Sequence, residues 1–275
     1  MSRDRRDVED RVRTLLEAFR MKRALDVLAS VLPADMPGRT QSLETFERLL
    51  RAELDDRRER RIARRLDDSH LPDRPTLETF DFAFQPKLDK ALVLDLAQLA
   101  WVDRKDDLVL VGEPGVGKSH IAKALCVLAA GQERRVLYTT CSDMMLDLHA
   151  ALADGSLRKR LKRYAGPELL LIDDLGYDPL EQEHAREAQL LHKVLKGRHG
   201  RASTIVTSNL DVDAWVDYLG HPQLTMALLD KLLFRATAIR IDGPSYRLDQ
   251  HKKRKAARAS NKPEDGAGHD RESSS

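Results

Sequence analysis

The octapeptide GEPGVGKS, Gly112 to Ser119, sits between a short apolar run, LVLVG (108–112), and the helical pattern KSHIAKALCVLAAG. It matches G-x-x-x-x-G-K-[ST] in full, and that pattern is meaningful only between a strand and a helix. Its glycines let the backbone wrap closely enough for several N–H groups to converge on one anion, and the helix start adds partial positive charge. The stretch therefore commits this part of the chain to a strand–loop–helix unit built to cradle phosphate. Lys118 is expected to reach the β- and γ-phosphates of ATP, and Ser119 to offer its hydroxyl to Mg²⁺. Gly112, Glu113, Pro114, Gly115, Val116, Gly117 and His120 complete the expected nucleotide-binding stretch.

Around it, short β-rich runs alternate with helical patterns: RVLYTT (135–140), LLLIDD (169–174), STIVTSN (203–209) and ATAIRID (236–242). That alternation predicts an α/β fold whose parallel sheet is covered by helices on both faces. Gly131 is the expected C-cap of the helix that follows the loop.

The run LLLIDDLG, Leu169 to Gly176, delivers two adjacent acids directly after four apolar residues. A buried strand ending in unpaired charge is costly unless a cation waits there. Asp173, 55 residues after Lys118, is expected to hold Mg²⁺ through its water shell, and Asp174 to act as general base on the water attacking the γ-phosphate. Asn209 ends another strand of the same pattern. It can hold that water with Asp174, or cap the helical stretch DVDAWVDYL.

Residues 1–70 read as helical, broken by LPADMPGRT. The segment HLPDRPTLETFDFAF then leads into an ATPase-like domain over 71–250. Residues 251–275 carry too little apolar content to fold and are expected to form a basic, unstructured tail. Positive charge gathers at the ends: 17 Lys/Arg against 15 Asp/Glu in residues 1–70, and 7 against 4 in 251–275, with 23 against 26 between them. RRERRIARR, Arg57 to Arg65, is either a salt-laced solvated helix or a contact for DNA phosphates or a protein partner. DFAF, Asp81 to Phe84, either borders the base or packs in the core. No apolar run approaches the roughly 18 residues of a membrane span, so no membrane association and a cytoplasmic location are expected. Cys126 and Cys141 lie in apolar contexts and read as buried thiols rather than a disulfide or a zinc site.

With these elements in place, the chain resembles AAA+ P-loop NTPases of the DnaC/IstB branch, and more closely the IstB-type helper ATPases of insertion sequences. The resemblance spans roughly Leu25 to Leu248. It rests on LETFERLLRAELDDRRERRIARRL, TLETFDFAFQP, VGEPGVGKSHIAKAL, LLLIDDLGY, TIVTSNL, ALLDKLLFRA and IDGPSYRL. It implies a five-stranded parallel sheet flanked by helices and preceded by a small helical N-terminal domain that binds DNA or a partner. It makes Lys118 and Ser119 the Walker A pair, Asp173 and Asp174 the Walker B pair, Asn209 sensor 1, and Arg247 a sensor-2-like or γ-phosphate contact. Two departures stand out. Relatives often carry Asp-Glu where this chain has Asp-Asp. They also carry an arginine where this chain has Lys231, whose ammonium lacks the planar fork, leaving Arg235 as the alternative trans-acting residue. The resemblance further implies a homo-oligomer with ATP between subunits, sequence-independent binding of double-stranded DNA and recruitment of a partner transposase. The DnaC-like alternative implies loading of a replicative helicase. A small-molecule P-loop kinase fits poorly, because no acceptor-binding lid is evident.

Overall fold

The computed structural model describes residues 2–177 and 184–260. It divides into two compact units, with the boundary between Arg65 and Leu66.

The first unit is helical: α1 (Ser2–Ala18), α2 (Lys22–Val31) and α3 (Arg39–Asp68), whose last residues enter the second unit. Val8, Val12, Leu15 and Leu16 recur at three- and four-residue spacing and pack with Leu28, Leu43 and Leu50. The apolar pattern runs unbroken through FRMK, yet the helix stops there. Arg20 is left-handed (φ 55°) and Met21 N–H donates to Leu16 O (2.9 Å), so the chain turns and Leu28 reaches the α1 face. Glu47, buried, accepts from Arg11 Nε and Nη2 (2.8 and 3.1 Å) and from Arg51 Nε (2.8 Å), with Arg51 Nη2 2.7 Å away. Those hydrogen bonds, Arg11's first, hold its carboxyl below the usual carboxylate range.

The second unit runs α4 (Lys90–Leu96), α5 (Ala100–Asp103), β1 (Asp107–Val111), α6 (Lys118–Gly131), β2 (Val136–Thr140), α7 (Cys141–Ala153), α8 (Leu157–Ala165), β3 (Leu169–Leu175), α9 (His184–Arg198), β4 (Ser203–Ser208), α10 (Trp215–Leu219), α11 (Pro222–Leu233), β5 (Ala236–Arg240) and α12 (Tyr246–Ser260). The five strands form one parallel sheet in the order β2-β3-β4-β1-β5. Alternate residues face two separate cores. Leu108, Leu110, Leu169, Leu171 and Ile205 pack against α4, α5 and α6, while Val109, Val111, Leu170, Ile172 and Val206 pack against α7, α9, α10 and α11. The sheet is thus apolar on both sides, as a parallel sheet covered by helices on each face must be.

Two local expectations change. Gly131 is the last residue of α6 rather than its cap, and Glu133 takes the left-handed turn (φ 62°). Helix α12 covers ten residues of the tail expected to be unstructured, because alanines and long cationic side chains favour a helix once Tyr246 anchors its start. Asp249 and Lys253 form an i,i+4 ion pair along it (2.8 Å). Residues 261–275 of that expected tail lie outside the described residues.

The amino end of the sheet carries charge of its own. Arg198 is 1% exposed, and its guanidinium donates to Thr204 Oγ1 (3.0 Å), Tyr164 O (2.7 Å), Pro167 O (3.0 Å) and Ser203 O. Beside it, Asp107 accepts from Thr204 N–H (2.7 Å). Burial pushes Asp107 up to about 6 and Arg198 down to about 10.

Candidate functional site

The glycine-rich loop joins β1 to α6 as anticipated, and its conformation needs the glycines. Gly117 has φ 108°, and a Cβ there would lie 2.5 Å from the Phe80 ring; a Cβ at Gly115 (φ 85°) would collide with the Ser245 hydroxyl. Val116 is buried in the core and fastens the loop from below. The loop opens on a cavity of about 620 Å³, lined by its residues 114–117 with Lys118, Ser119 and His120, together with Asp173, Asp174, Asn209 and Arg247 from three other segments. Gly112 and Glu113 do not line this cavity. Their carbonyls instead accept from Lys118 Nζ, at 2.7 and 2.9 Å. Desolvation holds the Lys118 ammonium below its ordinary value, with Asp174 and Asp173 pulling the other way.

The paired acids reach one cavity through a break in the sheet. Successive side chains of a regular strand point to opposite faces, which would send one acid away. Between Ile172↔Val206 and Leu175↔Ser208 the β3–β4 register shifts, so two residues, Asp173 and Asp174, stand opposite Thr207 alone. This is a β-bulge, and Asp174 sits in it with φ 60°. Asp173 is 2% exposed, and its carboxylate accepts from Thr207 Oγ1 and from the Tyr138 hydroxyl (3.4 Å). Asp174 is exposed to the cavity. Desolvation and the neighbouring Asp173 raise its carboxyl above the usual range, while Lys118 and Arg247 oppose the shift.

Asn209, with its amide oriented to donate, reaches Leu175 O (3.2 Å) and Gly176 O (3.0 Å), tying β4 to the turn after the acids. Its side chain makes no helix cap; the residue before the Val212–Ala214 turn is Asp211, whose carboxylate pairs with Arg240. Lys231 and Arg235 lie away from the cavity. Lys231 Nζ sits 3.3 Å from His192 Nε2, and the Arg235 guanidinium stacks on the Phe234 ring.

Sequence reasoning passed over the strap that borders the site. His120 Nε2 lies 2.9 Å from Thr76 O and 3.3 Å from Thr79 Oγ1, and Lys123, three residues on along α6, pairs with Asp73 (2.8 Å). The strap thereby seats Phe80 edge-on to His120 and Phe84 edge-on to Tyr246 (5.3 Å). Within DFAF, Asp81 and Phe84 line the cavity and Phe82 packs against the core, while the preceding Phe80 does both. Also unremarked was α8, LRKRLKRYA. Arg160 and Arg163 pair with Asp147, while Arg158, Lys159 and Lys162 are exposed. In the first unit, Arg57 and Arg60 of the basic run pair with Glu53 and Asp56 one turn earlier, at 2.7 and 2.9 Å.

The donor set fits Mg²⁺. Asp173 and Ser119 are hard oxygen donors, and among the described residues no three His, Cys, Asp or Glu side chains gather into a dedicated metal cage. So sparse a set suits an ion that keeps several waters and shares phosphate oxygens. Among the described residues no helix is long and apolar enough to cross a membrane.

The family described as IstB-like ATP binding protein matches residues 16–256. A protein named as an ATP-binding protein of insertion sequence IS232, from Bacillus thuringiensis subsp. berliner, is 32% identical over 86% of this chain and 94% of its own length. The counterpart named for insertion sequence IS21 in Pseudomonas aeruginosa is 38% identical over 74% and 76%. Among solved structures, DnaI superposes with a TM-score of 0.50 at 20% identity, covering 62% of this chain and 90% of that one. AMPPCP-bound DnaA from Aquifex aeolicus gives 0.51 at 17%, covering 68% and 56%. At those identities the likeness concerns the fold alone.

Proposed function

We propose, from the premise that this chain belongs to the IstB-like ATP-binding protein family, that it hydrolyses ATP and assembles on double-stranded DNA as the helper of an insertion-sequence transposase. One observation carries the reading: Lys118, Asp173, Asp174, Asn209 and Arg247, from separate segments, line a single cavity beside a phosphate-cradling loop.

In this reading Lys118 exchanges the carbonyls of Gly112 and Glu113 for β- and γ-phosphate oxygens, while the loop N–H groups hold the β-phosphate. Ser119 and Asp173 would hold Mg²⁺, which when bound offsets charge on the phosphate oxygens. Asp174 orients and polarises the attacking water, Asn209 steadies it, and Arg247 contacts the γ-phosphate. Phe80 and Phe84 border the base. Lys231 or Arg235, outside the cavity, would act on the nucleotide of a neighbouring copy, so turnover requires a homo-oligomer. The N-terminal unit recruits the transposase. DNA is gripped through phosphates by Arg57–Arg65 and by the exposed cations of α8 and α12. Ion pairs as exposed as those of Arg57 and Arg60 contribute little and are readily exchanged for phosphate.

The test is gel filtration and duplex-DNA retardation of the purified protein with ADP, ATP and a non-hydrolysable analogue. A larger species and salt-sensitive retardation with ATP and the analogue, but not with ADP, are expected. Identical behaviour in all three nucleotide states would overturn the assembly reading.

A further inference from the structure

The bulge that brings both acids to the cavity leaves one residue opposite them, Thr207 of β4. Its hydroxyl donates to Asp173 Oδ1 and accepts the Asp174 backbone N–H (3.0 Å). A hydroxyl has one proton to give and lone pairs to receive, so a single side chain satisfies both residues at once. Thr207 is fully buried, and the β-branched side chain confines Oγ1 to few rotamers. Asp173 otherwise accepts only the longer bond from Tyr138 among the described residues, and the Asp174 N–H lies in the stretch where ladder pairing is broken. Among the described residues no other side chain bonds to both acids.

We propose that Thr207 is a positioning residue: its hydroxyl sets the Asp173 carboxylate toward the ion and, by pinning the Asp174 amide in the left-handed turn, aims the Asp174 carboxylate at the attacking water. This rests on the ATPase reading above. Fixed outer-shell partners of this kind matter because a carboxylate that swings freely presents the wrong lone pair, and a base displaced by about 1 Å loses much of its rate advantage. Two residues on, just past the end of β4, Asn209 grips Leu175 O and Gly176 O on the far side of the acids. β4 and the residue after it thereby hold the acid turn from both ends.

The test compares Thr207→Val, which keeps the shape and removes the hydroxyl, with Thr207→Ser, which keeps the hydroxyl, both in the full chain. For Thr207→Val, kcat should fall roughly ten- to hundred-fold while KM for ATP shifts less than about threefold; Thr207→Ser should stay within about threefold of the unmodified protein. A second readout needs no turnover. In a titration of Mg²⁺ into protein holding a fluorescent ATP analogue, half-saturation should move to roughly tenfold higher Mg²⁺ for Thr207→Val only, with nucleotide affinity in chelator unchanged. Melting temperatures identify a variant that fails to fold, in which case Thr207→Ala takes its place. Unchanged kcat and unchanged Mg²⁺ response without the hydroxyl overturn the inference, as does a serine variant as impaired as the valine one. Should the unmodified protein fail to hydrolyse ATP, the ATPase reading fails instead, and the Mg²⁺ titration still decides the role of Thr207.

Discussion

The two ends of the central sheet each hold an acid and a cation drawn out of water, and they use them in opposite ways. At the amino end, Arg198 and Asp107 are shifted by burial, one down and one up, and Lys118 and Asp174 shift in the same directions at the carboxyl end. Arg198, however, is closed by four acceptors from α8, the loop after it and β4, and Asp107 by the Thr204 amide. Neither of them lines the cavity at the other end of the sheet. At the carboxyl end the groups are only partly satisfied and face open volume. A perturbed titration therefore marks desolvated charge at both ends, and openness decides which one is suited to a ligand.

That contrast breaks most readily at Asp174. Asp174→Asn should lower kcat by about 10³-fold, roughly 4 kcal/mol, with ATP affinity and melting temperature nearly unchanged. Hydrolysis at the unmodified rate would remove the general base from the account. Arg198→Leu should do the reverse, costing about 3 to 4 kcal/mol in urea denaturation by orphaning its carbonyl partners, with ATPase rate per folded molecule retained. If activity fell as far as stability, the amino end would have to be counted as functional. Lys118→Ala should weaken nucleotide binding about a hundredfold, roughly 3 kcal/mol by calorimetry, while stability holds or rises slightly as a buried ammonium is lost.

The finest distinction is in pH. The folded Asp107 carboxyl titrates near 6 rather than 3.8, so its protonated form is favoured by the fold. The stability this lends is full below about pH 4 and lost as pH rises through about 6. Asp107→Asn keeps an acceptor for Thr204, and should flatten that part of the stability curve and add about 2 kcal/mol at pH 7. A variant whose urea midpoint follows the same pH dependence as the unmodified protein would show that some other group is responsible.

The strands were readable because short apolar runs alternate with helical patterns, and the loop because its glycines and lysine have one physical use. The same local reading failed at Arg20 and at α12. There the outcome turned on whether a helix packs back on its neighbour or gains an anchor, neither of which is visible in a window of a few residues.

By itself, the order of residues determined the α/β core, the phosphate loop and the presence of two acids at the end of β3, since periodicity, glycine freedom and burial of apolar runs are local matters. The tertiary structure alone decided that both acids face one cavity, that Thr207 stands opposite the pair and that the strap 73–80 is held to α6 by His120 and Lys123. Those features depend on register and on distances between segments far apart in the chain, and no single stretch of sequence encodes a register.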